Sequence, residues 1–193
     1  MLTVESTKKW LHDFNSFIQK NKDYLSELDT PIGDGDHGSN MSRGMADLEN
    51  TLKTEDFQDV SEIFKKAAMS FISKVGGASG PLYGSAFLAM SKHTETESVS
   101  DLLGAGLEAI QKRGKAEIGD KTMIDIWSAF IQDLKSNTAT HDKIEQYVTD
   151  SAPLMAKKGR ASYLGERSIG HIDPGTRSSG YLFSALLNIM QGM

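Results

Sequence analysis

The sequence predicts an all-α fold of eight antiparallel helices running up and down, and three observations predict it. Apolar residues recur at three-, four- and seven-residue spacing along nearly the whole chain. Strand-type alternation is almost absent, and the connections between the periodic segments are of two kinds that alternate.

The helices follow in order. Trp10, Leu11, Phe14, Phe17, Ile18, Tyr24 and Leu25 give the first, over 4–28. Met41, Met45, Leu48 and Leu52 mark the second; Val60, Ile63, Phe64, Ala67, Phe71 and Val75 mark the third. Leu82, Tyr83, Ala86, Phe87 and Met90 form the fourth. A fifth, softened by glycines, carries Leu102, Leu103, Gly106, Ala109 and Ile110. Met123, Ile124, Trp127, Phe130, Ile131 and Leu134 make a strong sixth. Ile144, Tyr147, Val148, Leu154 and Met155 make a seventh, bent near Pro153, and Tyr181, Leu182, Ala185, Leu186 and Ile189 form the eighth.

After the second, fourth and sixth helices stand plain polar turns: KTED, KHTETES and SNTATHD. The other four connections are rich in glycine and small polar residues: DTPIGDGDHGSN, VGGASGPLYG, RGKAEIGDKT and KKGRASYLGERSIGHIDPGTRSS. In an up-and-down array alternate connections fall at the same end, so all four unusual loops should meet at one rim.

Composition narrows the function classes. With 193 residues, 38% hydrophobic and 24% charged, the chain reads as one globular domain spanning 1–193. It has no cysteine, which removes disulfides and thiolate metal sites. The start, MLTVESTKKWLHDF, is charged throughout and unlike a signal peptide, and no run is apolar enough to span a bilayer. A net charge of −5 with scattered Lys and Arg offers no basic stripe for nucleic acid. A cytoplasmic protein without membrane or nucleic-acid partners is expected.

The first loop holds Asp29, Asp34 and Asp36 with Gly33 and Gly35 between them. Three carboxylates this close repel one another unless a cation sits among them, and hard oxygen ligands suit Mg²⁺ or Ca²⁺ rather than zinc. A solvated Asp-Gly turn is the alternative for an isolated DGD. The spacing is not that of an EF-hand. Gly33 to Gly38 matches G-x-G-x-x-G, but a helix rather than a strand precedes it, so a dinucleotide fold is excluded, and no P-loop motif occurs.

Helix N-termini are the remaining means of holding phosphate. His37, Gly38, Ser39 and Asn40 open the second helix, and Gly76, Gly77, Ala78, Ser79 and Gly80 open the fourth. Ser39 and Ser79 would either cap their helices or donate to an anion. Arg160, Arg167 and Arg177 lie in the last loop, where arginine suits phosphate or a base.

GDGDHGSNMSRG, GGASGPLYG, RGKAEIGDKTM and GRASYLGERSIGHIDPGT, in this order, together resemble the L subunit of dihydroxyacetone kinases. That resemblance implies an eight-helix barrel with a nucleotide site at one rim. It assigns Mg²⁺ to Asp29, Asp34 and Asp36, and ADP or ATP to His37, Gly38, Ser39, Asn40, Ala78, Ser79, Gly114, Met123 and Arg160. Asp173, Pro174 and Gly175 would close over the nucleotide. Met123 facing adenine suits a polarizable side chain; a core position on the sixth helix is the alternative.

The resemblance also implies partners. The chain carries the L part alone, as in the phosphotransferase-system form. There ADP stays bound, is rephosphorylated by a phosphohistidine-carrying M subunit and passes the group to dihydroxyacetone on a K subunit. Some L subunits also engage a transcription regulator. Three alternatives stay open at this point: an ATP-dependent kinase subunit for another small ketose, a regulatory nucleotide-binding protein, and a helical bundle with solvated loops.

Overall fold

In a computed structural model, residues 2–95 and 98–192 are described; part of the turn KHTETES, residues 96 and 97, lies outside them. Among the described residues there are eight α-helices and no strand: α1 (Val4–Asp29), α2 (His37–Thr54), α3 (Val60–Lys74), α4 (Ser79–Met90), α5 (Val99–Gly114), α6 (Met123–Lys135), α7 (His141–Asp150) and α8 (Pro174–Gln191). The all-α expectation holds. None of these helices is long and apolar enough to cross a membrane.

Local chemistry sets the helix starts. Thr3 and Ser6 form a reciprocal capping box at α1, as Thr122 and Asp125 do at α6. Asp59, Ser98, Thr140 and Asp173 each accept a backbone N–H at the starts of α3, α5, α7 and α8. Inside α1, Asn21 leaves helical geometry and its amide donates to the Phe17 carbonyl at 2.8 Å, which bends the helix there.

Two expectations change. The seventh helix stops at Asp150, before Pro153, so Leu154 and Met155 lie beyond it; proline cannot continue the ladder, and the residue before it is pushed out of helical geometry. The last glycine-rich stretch is not all loop. Arg160–Ser168 forms a 3-10 segment broken at Gly165, and Asp173-Pro174-Gly175 opens α8, with proline at a position where it has no N–H to lose.

Helices α1 to α6 pack on one another in sequence, and α8 lies against α1, α6 and α7. Helix α8 is the most enclosed: 13 of its 18 residues are buried, so it serves as the closing stave rather than an outer one. The interior is filled by rings. Phe130 stacks on Phe183 at 4.3 Å between centroids, Phe71 lies on Tyr83 and Phe87, and the Trp10 indole donates to the Leu182 carbonyl at 2.9 Å. At the crossing of α1 and α2 only glycine fits: a methyl group on Gly38 would stand 1.7 Å from the Lys22 carbonyl oxygen.

Candidate functional site

The four glycine-rich connections meet at one end and enclose a cleft of about 590 Å³. Its walls include the starts of α2 (His37, Asn40), α4 (Ala78, Ser79), α6 (Thr122, Met123, Ile124) and α8 (Asp173, Pro174, Gly175). Four helix N-termini therefore converge on one space, each bringing the positive end of its dipole. The cleft favours an anion.

A carboxylate cluster stands at one side of it. Asp29, Asp34 and Asp36 each present an oxygen, and these oxygens lie within 4.8 Å of one another. The sequence explains how. Asp29 ends α1, and its Oδ2 accepts the N–H of Asp36 at 3.0 Å and of His37 at 3.2 Å, folding the loop back on itself. Gly33 makes the approach possible: a methyl group there would sit 1.9 Å from Asp29 Oδ1. Asp36 precedes α2 without capping it, so its carboxylate is not used up by the helix. This set of clustered hard oxygens fits a magnesium-like cation, with coordination positions left for water and phosphate.

His37 is buried between Ser79, 3.1 Å from its Nδ1, and Ser178, 3.0 Å from its Nε2. Burial lowers its pKa to about 4, against a smaller upward pull from Asp36, so the ring is neutral at physiological pH. Neither Ser39 nor Ser79 caps its helix: Ser39 donates to the Asp36 carbonyl, while Ser79 turns to His37.

The loops from α5 and α7 form the opposite wall and are stitched together. The Lys157 N–H donates to the Asp120 carbonyl, and the Lys121 ammonium donates to the carbonyls of Ala152, Leu154 and Ser168 at 3.1, 3.0 and 2.7 Å. Lys121 is only 2% exposed, and burial lowers its pKa against the counter-pull of Asp173. The carboxyl of Asp173 accepts from Thr176; burial raises its pKa to about 6, opposed by those bonds. Thr176 in turn donates to the Thr122 carbonyl, joining the starts of α8 and α6. At the mouth, Arg160 pairs with Asp34 at 3.1 Å.

The cleft thus brings together most of the residues singled out in the sequence: Asp29, Asp34, Asp36, His37, Asn40, Ala78, Ser79, Gly114, Met123, Arg160, Asp173, Pro174 and Gly175 all line it. Gly38 and Ser39 do not. Gly38 is spent on packing against α1, and Ser39 stands outside the lining. Met123 is both a core residue and part of the wall. Of the three arginines only Arg160 faces the cleft. Arg177 lies inside α8, buried in a bidentate pair with Glu145 (2.6 and 2.8 Å) and over the Tyr181 ring. Sequence reasoning missed the apolar wall of Ile32, Leu82 and Ile110, and missed Arg113, Lys121 and Lys158. The periodicity offered Leu82 and Ile110 only as core positions, and Ile32 stood only as part of the first loop. Lys121 gave one signal, its place beside the Thr122 cap.

Comparison with known proteins places these features in a family. The DAK2 domain model matches residues 31–188. The chain is 65% identical over 191 residues to the PTS-dependent dihydroxyacetone kinase, ADP-binding subunit DhaL, of Lactococcus lactis, covering 98% of this chain and 100% of that one. It is 36% identical over 194 residues to the ADP-binding subunit DhaL of the PEP-dependent dihydroxyacetone kinase of Escherichia coli, with 92% of each covered. Among solved structures, the dihydroxyacetone kinase of C. freundii in complex with AMP-PNP and Mg²⁺ superposes with a TM-score of 0.76 at 22% identity, over 94% of this chain and 33% of that chain. That last likeness concerns the fold.

Proposed function

The chain belongs to the DAK2 domain family, and from that premise we propose that it is the nucleotide-binding subunit of a dihydroxyacetone kinase. It holds ADP or ATP with Mg²⁺ and passes a phosphoryl group between a phosphohistidine donor and dihydroxyacetone on a separate subunit. The observation that carries this reading is the facing of three clustered carboxylates and four helix N-termini across one cleft.

Each wall has a part in that reading. Asp29, Asp34 and Asp36 would hold the Mg²⁺, which supplies neutralisation of charge on the phosphates during transfer. The N–H groups opening α4, with Ser79, receive phosphate oxygens; Arg160 adds a fork of donors once its pair with Asp34 opens. Met123, Leu82 and Ile110 give the adenine an apolar seat. Asp173 to Gly175, at the first turn of α8, line the cleft and would close over the nucleotide.

Phosphoryl transfer asks chiefly for positioning and charge stabilisation, and this cleft offers both. The His37 ring is neutral and both its nitrogens are bonded to serines within the protein, so it is not placed to accept a phosphoryl group. A partner subunit would bring the sugar to the rim, where Ile118, Tyr163 and Ile169 stand exposed on the two loops flanking the cleft.

Native mass spectrometry of the purified chain tests the reading. ADP should travel with the protein in the presence of Mg²⁺ and leave when the metal is chelated. A protein that neither carries nor binds Mg-ADP in calorimetry overturns it.

A further inference from the structure

A row of hydrogen bonds runs from the sealed interior to the wall of the cleft. The Trp127 indole N–H donates to Ser179 Oγ at 3.0 Å, and Ser179 Oγ lies 2.9 Å from the Tyr83 hydroxyl. That hydroxyl is 2.8 Å from Ser178 Oγ, which is 3.0 Å from His37 Nε2; His37 Nδ1 is 3.1 Å from Ser79 Oγ. Trp127, Tyr83, Ser178 and Ser179 are fully buried, His37 is 7% exposed, and Ser79 lines the cleft. The row crosses α6, α8, α4 and α2, so it was assembled by the fold and not by any one motif.

Its direction can be worked out from the end that has no choice. An indole N–H only donates, so the oxygen of Ser179 receives. The Ser179 proton then goes to Tyr83, and the Tyr83 proton to Ser178. Ser178 has two acceptors in reach: His37 Nε2 at 3.0 Å and the Gly175 carbonyl at 3.1 Å. That carbonyl belongs to α8 and takes the N–H four residues on, whereas the buried Nε2 has no other donor among the described residues. Donation to Nε2 leaves the proton of the neutral ring on Nδ1, where it is given to Ser79. The Ser79 hydroxyl proton is then free to point into the cleft, beside the open N–H groups of α4.

We infer that Trp127, Ser179, Tyr83 and Ser178 are positioning residues: acting through the Nδ1–H tautomer of His37, they turn the Ser79 hydroxyl into a hydrogen-bond donor for a phosphate oxygen of the bound nucleotide. The inference rests on the nucleotide-binding reading. With the row reversed, Ser79 would give its proton to His37 and present lone pairs to the anion. Bonds aligned head to tail polarise one another, which strengthens the last donor in the row.

The tautomer is read by ¹⁵N NMR of the His37 ring in the ligand-free full chain, and the expected form is Nδ1–H. An Nε2–H ring in the wild-type protein overturns the inference. Tyr83→Phe removes the link that supplies Ser178; it should switch the ring toward Nε2–H and weaken Mg-ADP binding roughly tenfold to a hundredfold, the scale of one lost hydrogen bond to a charged group. Ser79→Ala, at the half-open end of the row, should cost a similar factor without disturbing the core, which keeps a test available if Tyr83→Phe folds poorly. In the double variant the two losses should not add, because both remove the same donor. Fully additive losses, or a Ser79→Ala protein that binds Mg-ADP as tightly as wild type, also overturn it. A wild-type chain that does not bind Mg-ADP ends the functional reading instead, and the ligand-free tautomer still judges the row.

Discussion

Arg160 and Asp34 form an ion pair at 3.1 Å across the mouth of the cleft, joining the 3-10 segment to the carboxylate cluster. The guanidinium thus bonds a carboxylate that belongs to the cluster of Asp29, Asp34 and Asp36. Both side chains are substantially exposed (67% and 42%), so the pair itself is worth no more than about 1 kcal/mol. It is a contact that a divalent ion and a phosphate can readily exchange. Arg160→Gln should therefore weaken Mg-ADP by roughly tenfold, the loss of a charge-assisted bond to phosphate. The same change should leave binding of Mn²⁺ alone unchanged or slightly tighter, as calorimetry without nucleotide will tell. Weakening of both would mean that Arg160 orders the metal loop.

The three carboxylates should separate by variant. Asp34→Asn and Asp36→Asn remove charge from a self-repelling cluster, so the ligand-free protein should melt at or above the wild-type temperature. Mg-ADP binding should fall by more than the roughly 10- to 100-fold that losing a residue supporting a metal ligand produces. Asp29→Ala has a second effect, since Asp29 also receives the N–H groups of Asp36 and His37. It should lose binding and also about 1–2 kcal/mol of stability, measured by urea unfolding. Full nucleotide occupancy in either asparagine variant refutes the metal assignment.

The contrast between these residues shows what could be read in the sequence. The helices were legible because burying one face imposes a period, and the convergence of four loops followed from the alternation of plain and glycine-rich turns. The carboxylate cluster was legible because its members are close in the chain. The end of α7 was misjudged, as Leu154 and Met155 kept the helical period after Pro153 had stopped the backbone. Arg177 and Arg160 share one stretch of sequence, yet one is buried under Glu145 and the other faces the cleft; only the packing of α7 against α8 separates them. Lys121, and the row from Trp127 to Ser79, join residues 31 to 141 positions apart, and no local pattern announces them.

Asp173 should make stability fall as pH rises through the acid range. Its pKa is raised from 3.8 to about 6 by burial, so between those values the unfolded chain loses a proton that the folded chain keeps. The contribution is intact below about pH 4 and gone above about pH 6. Asp173→Asn keeps an acceptor for Thr176 without the charge. The difference in unfolding free energy, variant minus wild type, should therefore grow between pH 4 and pH 6 and stay level above. His37 acts in the opposite sense: its pKa is lowered from 6.5 to about 4, so its contribution is present above pH 6.5 and lost as the pH falls toward 4. A difference curve that is flat across this interval contradicts the assignment of Asp173.

Lys121 supports the wall that carries Arg160. Its three bonds to the carbonyls of Ala152, Leu154 and Ser168 are the main polar tie between the α5–α6 connection and the stretch after α7, where Gly159, Gly165 and Gly170 all take positive φ. That stretch has little apolar packing, and exposed Tyr163 shows its character, so it should be the first part to open. Lys121→Met strands three carbonyls and should destabilise the fold by about 2–3 kcal/mol, with proteolysis in residues 159–170 accelerated more than cleavage elsewhere. Ligand should act the other way on the wild-type chain. Mg-ADP at 100 times its Kd adds about 2.7 kcal/mol to the native state, which for a chain this size raises Tm by roughly 5–10 °C. It should also slow cleavage within 159–170, because Arg160 then holds phosphate as well as its neighbours. Metal chelation should cancel both effects together. Cleavage in this stretch that is indifferent to Mg-ADP would show that the wall does not close on the nucleotide, and that Arg160 serves only the ligand-free form.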